Sequence, residues 1–192
     1  MLDTTVSKAE LRALGLARRA QMTDDERLRA SARAVAELKP LIRSGETVSL
    51  FWPMRGEIDP RGLIDAVREG DGHIAMPVVE KRRMFFRRFD GEECLEDGVF
   101  GTRHPDARQP ILDPDLIVAP LAAFDRRGGR IGYGAGHYDT AIADLHARGK
   151  APRVVGIAFA CQEVDFIPVE PHDARLEKIA TERELIEAER SA

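Results

Sequence analysis

Residues 116–139 read LIVAPLAAFDRRGGRIGYGAGHYD, and they give the clearest indication of the fold class. Residues 116–124 form a nearly continuous apolar run, which is typical of a central strand buried on both faces of a sheet. Five glycines follow within 128–136, and Ile142 and Leu145 then predict one face of a helix that reaches Gly149. A buried strand, a glycine-rich loop and a helix in this order predict a mostly parallel sheet covered by helices.

Strand and helix patterns alternate on both sides of this stretch. Residues 47–53 (TVSLFWP) are β-branched and aromatic, and further strands are predicted from His73, at 84–89 as a short or edge strand, and from Val154. Asp59–Pro60 predicts a helix that has Pro60 in its first position. The tail after residue 178 fits a short strand or a helix, and the pattern leaves both open.

Two capping boxes predict helices near the N-terminus. In each, a hydroxyl residue precedes a glutamate by three positions, namely Ser7 with Glu10 and Thr23 with Glu26. The apolar spacing predicts which side chains face the core: Leu11 and Leu14 in the first helix, and Leu28, Ala32, Val35 and Leu38 in the second.

Length and charge narrow the function classes. A chain of 192 residues suits a single domain, 1–192. The net charge of −4 argues against non-specific coating of nucleic acid, which depends on many contacts to phosphate. The N-terminus lacks a signal-peptide pattern, and apolar runs stay well below the roughly 20 residues that span a bilayer. We therefore predict a soluble, cytoplasmic protein without a membrane partner, whose Cys94 and Cys161 are reduced thiols.

The glycine-rich loop has the composition of a phosphate-binding site. Glycine tolerates positive φ, and without a Cβ its backbone N–H groups can approach a ligand closely. The N-terminus of the following helix adds a positive dipole end, and Arg130 adds a formal charge. From composition alone, a tight strand-to-helix connection without a ligand is the alternative.

Known phosphate-loop motifs fit this loop poorly. No Gly-Lys-Ser/Thr follows, so it is not a P-loop, and the spacing Gly132-x-Gly134-x-Gly136 is a weak match to a dinucleotide fingerprint. The hypothesis of an NAD(P)-dependent oxidoreductase would rest on that glycine spacing alone. Asp139 could hold Mg²⁺ that bridges to phosphate, or it could be an ordinary acid in the first turn of a helix.

The stretch APLAAFDRRGGRIGYGAGHYDTAIADL (119–145) resembles the signature of the 5-formyltetrahydrofolate cyclo-ligase family. Other segments follow in the family's order. The Lys8–Arg12 pair resembles its N-terminal Lys-x-x-x-Arg, and FWPMRGEID (51–59) resembles its strand with a Glu-hydrophobic-Asp turn. Residues 154–164 and 167–182 resemble its closing segment with a His-Asp pair. The resemblance therefore covers nearly the whole chain.

The resemblance implies a fold, a reaction and its reactants. The fold would be α/β, a three-layer, mostly parallel open sheet with helices on both faces, of the NagB/RpiA/CoA-transferase-like type. The reaction would convert 5-formyltetrahydrofolate and ATP, with Mg²⁺, into 5,10-methenyltetrahydrofolate, ADP and phosphate through an iminium phosphate. The partners would be these small molecules and no nucleic acid, and we expect a monomer.

The resemblance also assigns residues to roles. Arg130 and Tyr138 would be catalytic, Trp52, Glu57 and Tyr133 would contact the folate, and Asp139 and Asp173 would hold Mg²⁺. The ATP contacts would be Lys8, Arg12, Arg130, Ile131, Gly132, Tyr133, Gly134, Ala135, Gly136, His137 and Tyr138.

Each role has a simpler alternative. Lys8 and Arg12 would be a solvated pair on a helix face, Trp52 a core residue, and Glu57 a turn acid. Ala135 and His137 depart from the family pattern, which often has lysine and tyrosine at these positions, and this leaves open which cation manages the transferred phosphate.

Two further questions stay open at this stage. One is whether the chain is a catalytically inactive protein of the same fold that binds a nucleotide or RNA. The other is the basic stretch 81–89 (KRRMFFRRF), for which we favour a hairpin with solvated arginines over binding to RNA or to a polyglutamate tail.

Overall fold

The computed structural model describes residues 6–81, 83–98, 101–168, 170 and 175–188. Its α-helices are α1 (Lys8–Ala20), α2 (Asp24–Leu38), α3 (Ile64–Glu69) and α4 (His137–Ala147). Its strands are β1 (Thr47–Ser49), β2 (His73–Glu80), β3 (Arg83–Arg88), β4 (Leu95–Asp97), β5 (Arg103–Pro105), β6 (Leu116–Pro120), β7 (Ala123–Phe124), β8 (Arg130–Ile131), β9 (Arg153–Ile157), β10 (Lys178–Ala180) and β11 (Leu185–Glu187). None of the described helices is long and apolar enough to cross a membrane.

Seven strands form the main sheet in the order β11-β10-β9-β6-β1-β2-β3. The five inner strands are parallel, and β11 and β3 add an antiparallel strand at each edge. β1 connects outward to β2, whereas β6 connects outward to β9 and β10, so the strand order reverses between β1 and β6. The predicted mostly parallel sheet is confirmed, and the buried strand predicted at 116–124 is central but covers only 116–120.

Both faces of the sheet are covered. On β6, Leu116 and Val118 pack with α2 and α3, while Ile117 and Ala119 pack with α4. Alternate side chains of one strand therefore enter two separate cores, and this explains the continuous apolar run in the sequence. The arrangement confirms the three-layer α/β fold with helices on both faces.

Helix α1 lies on a small hairpin rather than on the main sheet. β7 and β8 form this antiparallel hairpin, and Leu11 of α1 packs with Ala123 and Ile131 in a third core. At Gly15 the helix touches the backbone, because a Cβ there would lie 2.1 Å from the Ala122 carbonyl oxygen. Only glycine, which has no side chain, allows α1 to approach the Ala122 backbone this closely.

Both capping boxes form as predicted, but the predicted buried faces are partly wrong. Leu14 and Leu28 are exposed (41% and 69%), and Ala32 is exposed as well. α1 instead buries Gly15 and Arg19 because it packs on a backbone turn and a polar loop. α2 is rotated so that small residues face the sheet: Ala30, Ser31 and Ala34, beside Val35 and Leu38.

Three predicted boundaries also change. β1 ends at Ser49 instead of 53, although Leu50 and Phe51 stay buried and the Leu50 N–H still donates to the Ala75 carbonyl of β2. The run 116–124 divides into β6 and β7, because the Leu121 and Ala122 carbonyls accept hydrogen bonds from the buried Gln162 side chain. The helical segment after Asp59 begins with a 3₁₀ turn at Arg61 rather than at Pro60.

The basic stretch contributes to the predicted edge hairpin of β2 and β3, but the prediction that its arginines are solvated is wrong for Arg87, whose side chain is only 14% exposed. Met84, Phe86 and Phe89 are buried. The described arginines of the stretch pair with acids: Arg83 with Asp144, Arg87 with Glu80 and Arg88 with Asp90. The tail, left open between strand and helix, forms β10 and β11.

Candidate active site

The loops that follow β1 and β6 lie where the strand order reverses. In open α/β sheets, ligands bind beyond the carboxyl ends of the strands at such a switch point. The loop after β1 carries Trp52 and Glu57, and the segment after β6 carries the hairpin and the glycine-rich loop. The topology therefore brings two of the predicted binding segments to one edge of the sheet.

A buried carboxylate fixes the base of the glycine-rich loop. Asp125 is 1% exposed and accepts hydrogen bonds from the backbone N–H groups of Arg127, Gly129 and Ile167. These bonds close the turn between β7 and β8. The loop that follows therefore starts from a rigid stem, and Ile131, a predicted ATP contact, has its side chain buried in that stem.

Beyond Ile131 the loop exposes its backbone. Residues 132–136 are all exposed, and Gly134 (φ 95°) and Gly136 (φ 64°) have left-handed backbone that a side chain would strain. A Cβ at Gly132 or Gly136 would meet no described atom within 4 Å. Gly136 is the N-cap of α4, so open backbone leads directly to a helix N-terminus, as a phosphate site requires.

Helix α1 supplies cations to this loop. The Arg12 Nε donates to the Gly132 carbonyl at 2.7 Å, and its guanidinium lies 3.3 Å from the Cβ position of Gly134. Lys8 forms an ion pair with Glu170 at 3.4 Å. Lys8 lies one turn before Arg12 on the same side of α1. The hydrogen bond to Gly132 places Arg12 at the loop where phosphate binding is predicted.

Glu57 lies in a tight turn whose two central residues, Arg55 and Gly56, have positive φ (49° and 73°). The Glu57 N–H donates to the Met54 carbonyl, and the Met54 N–H donates to the Glu57 carboxylate at 3.0 Å. Glu57 is 9% exposed. Burial raises the pKa of Glu57, although the nearby Tyr133 hydroxyl, the Met54 N–H and nearby arginines oppose the rise.

Arg130 and Asp139 form an ion pair across the start of α4. The Arg130 side chain is only 8% exposed, whereas Asp139 retains 28%. The Tyr138 hydroxyl is buried and has no hydrogen-bond partner among the described residues. Burial and the charge of Glu57 raise the pKa of Tyr138, so this hydroxyl stays protonated and is a donor.

Trp52 borders a groove of about 340 Å³ that the glycine-rich loop does not line. Its other lining residues are Asp59, Arg61, Ile64, Arg68, Phe89, Gly91 and Glu92. The guanidinium groups of Arg61 and Arg103 lie 4.5 Å and 4.9 Å from its ring centroid. Trp52 is half-buried and packs against the core, so the alternative of a core residue holds in part, and its contact with the folate stays a prediction.

Asp173 and His172 lie outside the described residues. Within the described part of the chain, no group of three or more His, Cys, Asp or Glu side chains is arranged to hold a metal. Mg²⁺ usually takes only one or two protein carboxylates and completes its shell with water and substrate phosphate. Asp139, a partly exposed carboxylate beside the phosphate-type loop, fits that mode of binding.

Arg19 was missed by the sequence analysis. It is 5% exposed on α1, donates to the Tyr133 hydroxyl at 2.8 Å, and donates to the Arg55 carbonyl at 3.1 Å. A signal for it exists, since Lys8, Arg12 and Arg19 fall at spacings of four and seven on one helix face. Hydrophobic periodicity alone cannot report a face that is built from arginine and glycine.

Comparison with known proteins gives one consistent family. Residues 4–182 match the model described as the 5-formyltetrahydrofolate cyclo-ligase family. The chain is 28% identical over 141 residues to 5-formyltetrahydrofolate cyclo-ligase of Haemophilus influenzae, covering 70% of this chain and 74% of that one. It is 27% identical over 173 residues to the Escherichia coli protein of the same name, covering 85% and 94%.

Solved structures agree on the fold. A 5,10-methenyltetrahydrofolate synthetase from Aquifex aeolicus superposes with a TM-score of 0.79 at 27% identity, over 96% of this chain and 94% of that one. One from Mycoplasma pneumoniae gives a TM-score of 0.72 at 20% identity, over 91% and 98%.

Proposed function

Because the chain belongs to the 5-formyltetrahydrofolate cyclo-ligase family, we propose that it uses ATP and Mg²⁺ to convert 5-formyltetrahydrofolate into 5,10-methenyltetrahydrofolate, ADP and phosphate. The observation that carries the proposal is that one side chain joins the two predicted binding segments. Arg19 donates to the Tyr133 hydroxyl of the glycine-rich loop at 2.8 Å and to the Arg55 carbonyl of the loop after β1 at 3.1 Å. A phosphoryl group can pass between two substrates only if their sites adjoin in this way.

On the nucleotide side, the exposed backbone of 132–136 and the N-terminus of α4 would cradle the phosphates of ATP. Arg12 approaches from α1 and Arg130 from β8, while Lys8, one turn before Arg12 on α1, stays a predicted contact. These cations take the place of a loop lysine, since position 135 is alanine. Phosphoryl transfer depends mainly on positioning and on neutralising charge, and these groups supply both.

On the folate side, Glu57 would accept hydrogen bonds from the ring N–H and amino groups of the pterin. Its burial makes such bonds strong, because water does not compete for the carboxylate. Tyr133 would border both substrates. Trp52 lies on the same loop as Glu57 and lines the neighbouring groove. Its ring would offer an apolar wall to the rest of the folate.

The chemical step begins when the formyl oxygen attacks the γ-phosphorus and the bond to ADP breaks. N10 of the folate then attacks the formyl carbon and loses its proton, and the carbon–oxygen bond to phosphate breaks as the ring closes. The buried Tyr138 hydroxyl would donate to an oxygen of the transferred group, and Arg130 would balance the charge that develops there.

Mg²⁺ would be held by Asp139 together with substrate phosphate oxygens, and Asp173 stays a predicted second ligand. When bound, the ion neutralises phosphate charge and orients the γ-phosphoryl group. Asp139 also forms an ion pair with Arg130. The same carboxylate would therefore orient the Arg130 guanidinium toward the transferred phosphate. A cytoplasmic monomer that acts only on small molecules stays our prediction.

An absorbance assay tests the proposal. Purified protein mixed with 5-formyltetrahydrofolate and Mg-ATP should produce the near-ultraviolet absorbance of the methenyl product, with one ADP released for each product formed. Omission of ATP or addition of a metal chelator should abolish the signal. Binding of ATP without product at high protein concentration would instead support the inactive-binder alternative, and tighter binding of NAD(H) than of ATP would support the oxidoreductase.

A further inference from the structure

Arg19 is a buried cation that donates hydrogen bonds to two neutral groups. A guanidinium at 5% exposure needs partners, because an uncompensated buried charge is strongly destabilising. Its direct acceptors are the Tyr133 hydroxyl and the Arg55 carbonyl. The Glu57 carboxyl lies near the same hydroxyl, and Tyr133 and Arg19 both act to lower its pKa. Arg19 thus holds the Tyr133 hydroxyl and the Arg55 carbonyl together beside this carboxyl group.

These contacts join three separate segments. Arg19 belongs to α1, Tyr133 to the glycine-rich loop, and Arg55 to the turn that ends at Glu57. We propose that Arg19 is a positioning residue that fixes Tyr133 and the Glu57 turn for the formyl-folate substrate. The inference rests on the proposed function.

The backbone of the turn gives Arg19 a second task. Arg55 has left-handed backbone (φ 49°), which costs a non-glycine residue roughly 1 kcal/mol or more. The hydrogen bond from Arg19 to the Arg55 carbonyl holds this peptide in place. Without it the turn can relax, and the Glu57 carboxylate then loses its orientation toward the loop.

The two acceptors explain why arginine occupies this position. A guanidinium presents several N–H groups in a fixed fork, so two of its nitrogens reach Tyr133 and Arg55 at once. Lysine keeps the charge but has no such planar fork. Methionine keeps much of the apolar stem and removes every donor.

Arg18 provides a matched control. It precedes Arg19 on α1, is exposed, and donates to the Glu163 carbonyl at 2.8 Å, away from the glycine-rich loop. Arg18→Met therefore removes the same charge from the same helix without touching Tyr133 or the Glu57 turn.

The experiment measures folate KM, ATP KM and kcat for wild type, Arg19→Met, Arg19→Lys and Arg18→Met. We expect Arg19→Met to raise folate KM about tenfold, the size of one lost hydrogen bond to a charged group, and to change ATP KM by less than about twofold. Arg19→Lys should fall between wild type and Arg19→Met, and Arg18→Met should match wild type. If Arg19→Met does not fold, the lysine variant alone must show the rise in folate KM.

A double-mutant cycle with Tyr133→Phe separates positioning from general support. If Arg19 acts through Tyr133, the rise in folate KM of the double variant stays well below the product of the single effects. Single effects that multiply to within about twofold, or an Arg19 variant with normal folate KM, would overturn the inference. Wild-type protein without ATP-dependent product would instead refute the proposed function, so the two failures are distinguishable.

Discussion

Replacing Gly15 with alanine should disturb the active site more than it disturbs stability. The added Cβ would lie 2.1 Å from the Ala122 carbonyl oxygen, and ordinary contact begins near 3.4 Å, so α1 must retreat by about 1.3 Å. Arg12 and Arg19 belong to the same helix. Arg12 donates to the Gly132 carbonyl at 2.7 Å, and Arg19 donates to the Tyr133 hydroxyl at 2.8 Å. A retreat of this size stretches both hydrogen bonds beyond their useful range.

The two consequences differ in size. Overpacking costs about 1–3 kcal/mol, but alanine gains about 1 kcal/mol over glycine inside a helix, so unfolding free energy should fall by only about 0–2 kcal/mol. Misplacement of binding groups by about 1 Å can cost 100-fold in activity. We therefore expect kcat/KM to fall by roughly 10- to 100-fold.

Urea denaturation and initial rates measure the two quantities on the same preparation. Ala17→Gly is the matched control because Ala17 is exposed on the same helix, so it should lose about 1 kcal/mol of stability and keep its kinetic constants. A Gly15→Ala protein that gains stability and retains wild-type kinetics would refute the close approach of α1 to the hairpin.

Three substitutions test the site itself. Burial raises the pKa of Glu57, so the folded protein holds that proton more tightly than the unfolded chain; this stabilisation is present at acid pH and is lost as pH rises through the raised pKa. Glu57→Gln should accordingly unfold at higher urea concentration at pH 7 while raising folate KM, and a less stable variant would contradict the sign. Arg130→Ala should raise ATP KM and lower kcat by about 100-fold, the usual cost of removing a charge that faces the reacting group, and unchanged ATP kinetics would remove Arg130 from the site. Asp139→Asn should raise the Mg²⁺ concentration that gives half-maximal rate, and a wild-type titration curve would exclude this carboxylate as a ligand.

The architecture could be predicted because its signals are local. The apolar run of β6 reports burial on both faces, and the capping boxes of α1 and α2 depend on residues only three positions apart. The glycine-rich loop was also recognisable, since exposed glycines before a helix have a direct physical meaning. For these features, sequence spacing and structure are related through backbone geometry alone.

The contacts around α1 could not be predicted in the same way. Leu14 is the apolar residue that periodicity favours, yet the helix buries Gly15 and Arg19, because the surface beneath it is a backbone turn and a tyrosine hydroxyl. The importance of Arg19 depends on Tyr133, which is 114 residues away in sequence. Such a pairing is a property of the tertiary structure, and the spacing of the arginines on α1 indicates only that a shared face exists.

Trp52 gives this protein an optical label that needs no engineering. It is the single tryptophan of the chain, so all indole emission comes from one wall of one groove. Two guanidinium groups lie against its ring, and a molecule that enters the groove must change those contacts. The glycine-rich loop has no tryptophan, so events confined to it affect the emission only through the fold. Rapid-mixing fluorescence can therefore time the arrival of a molecule in this groove, and repeating the measurement with and without ATP tests whether ATP changes that rate.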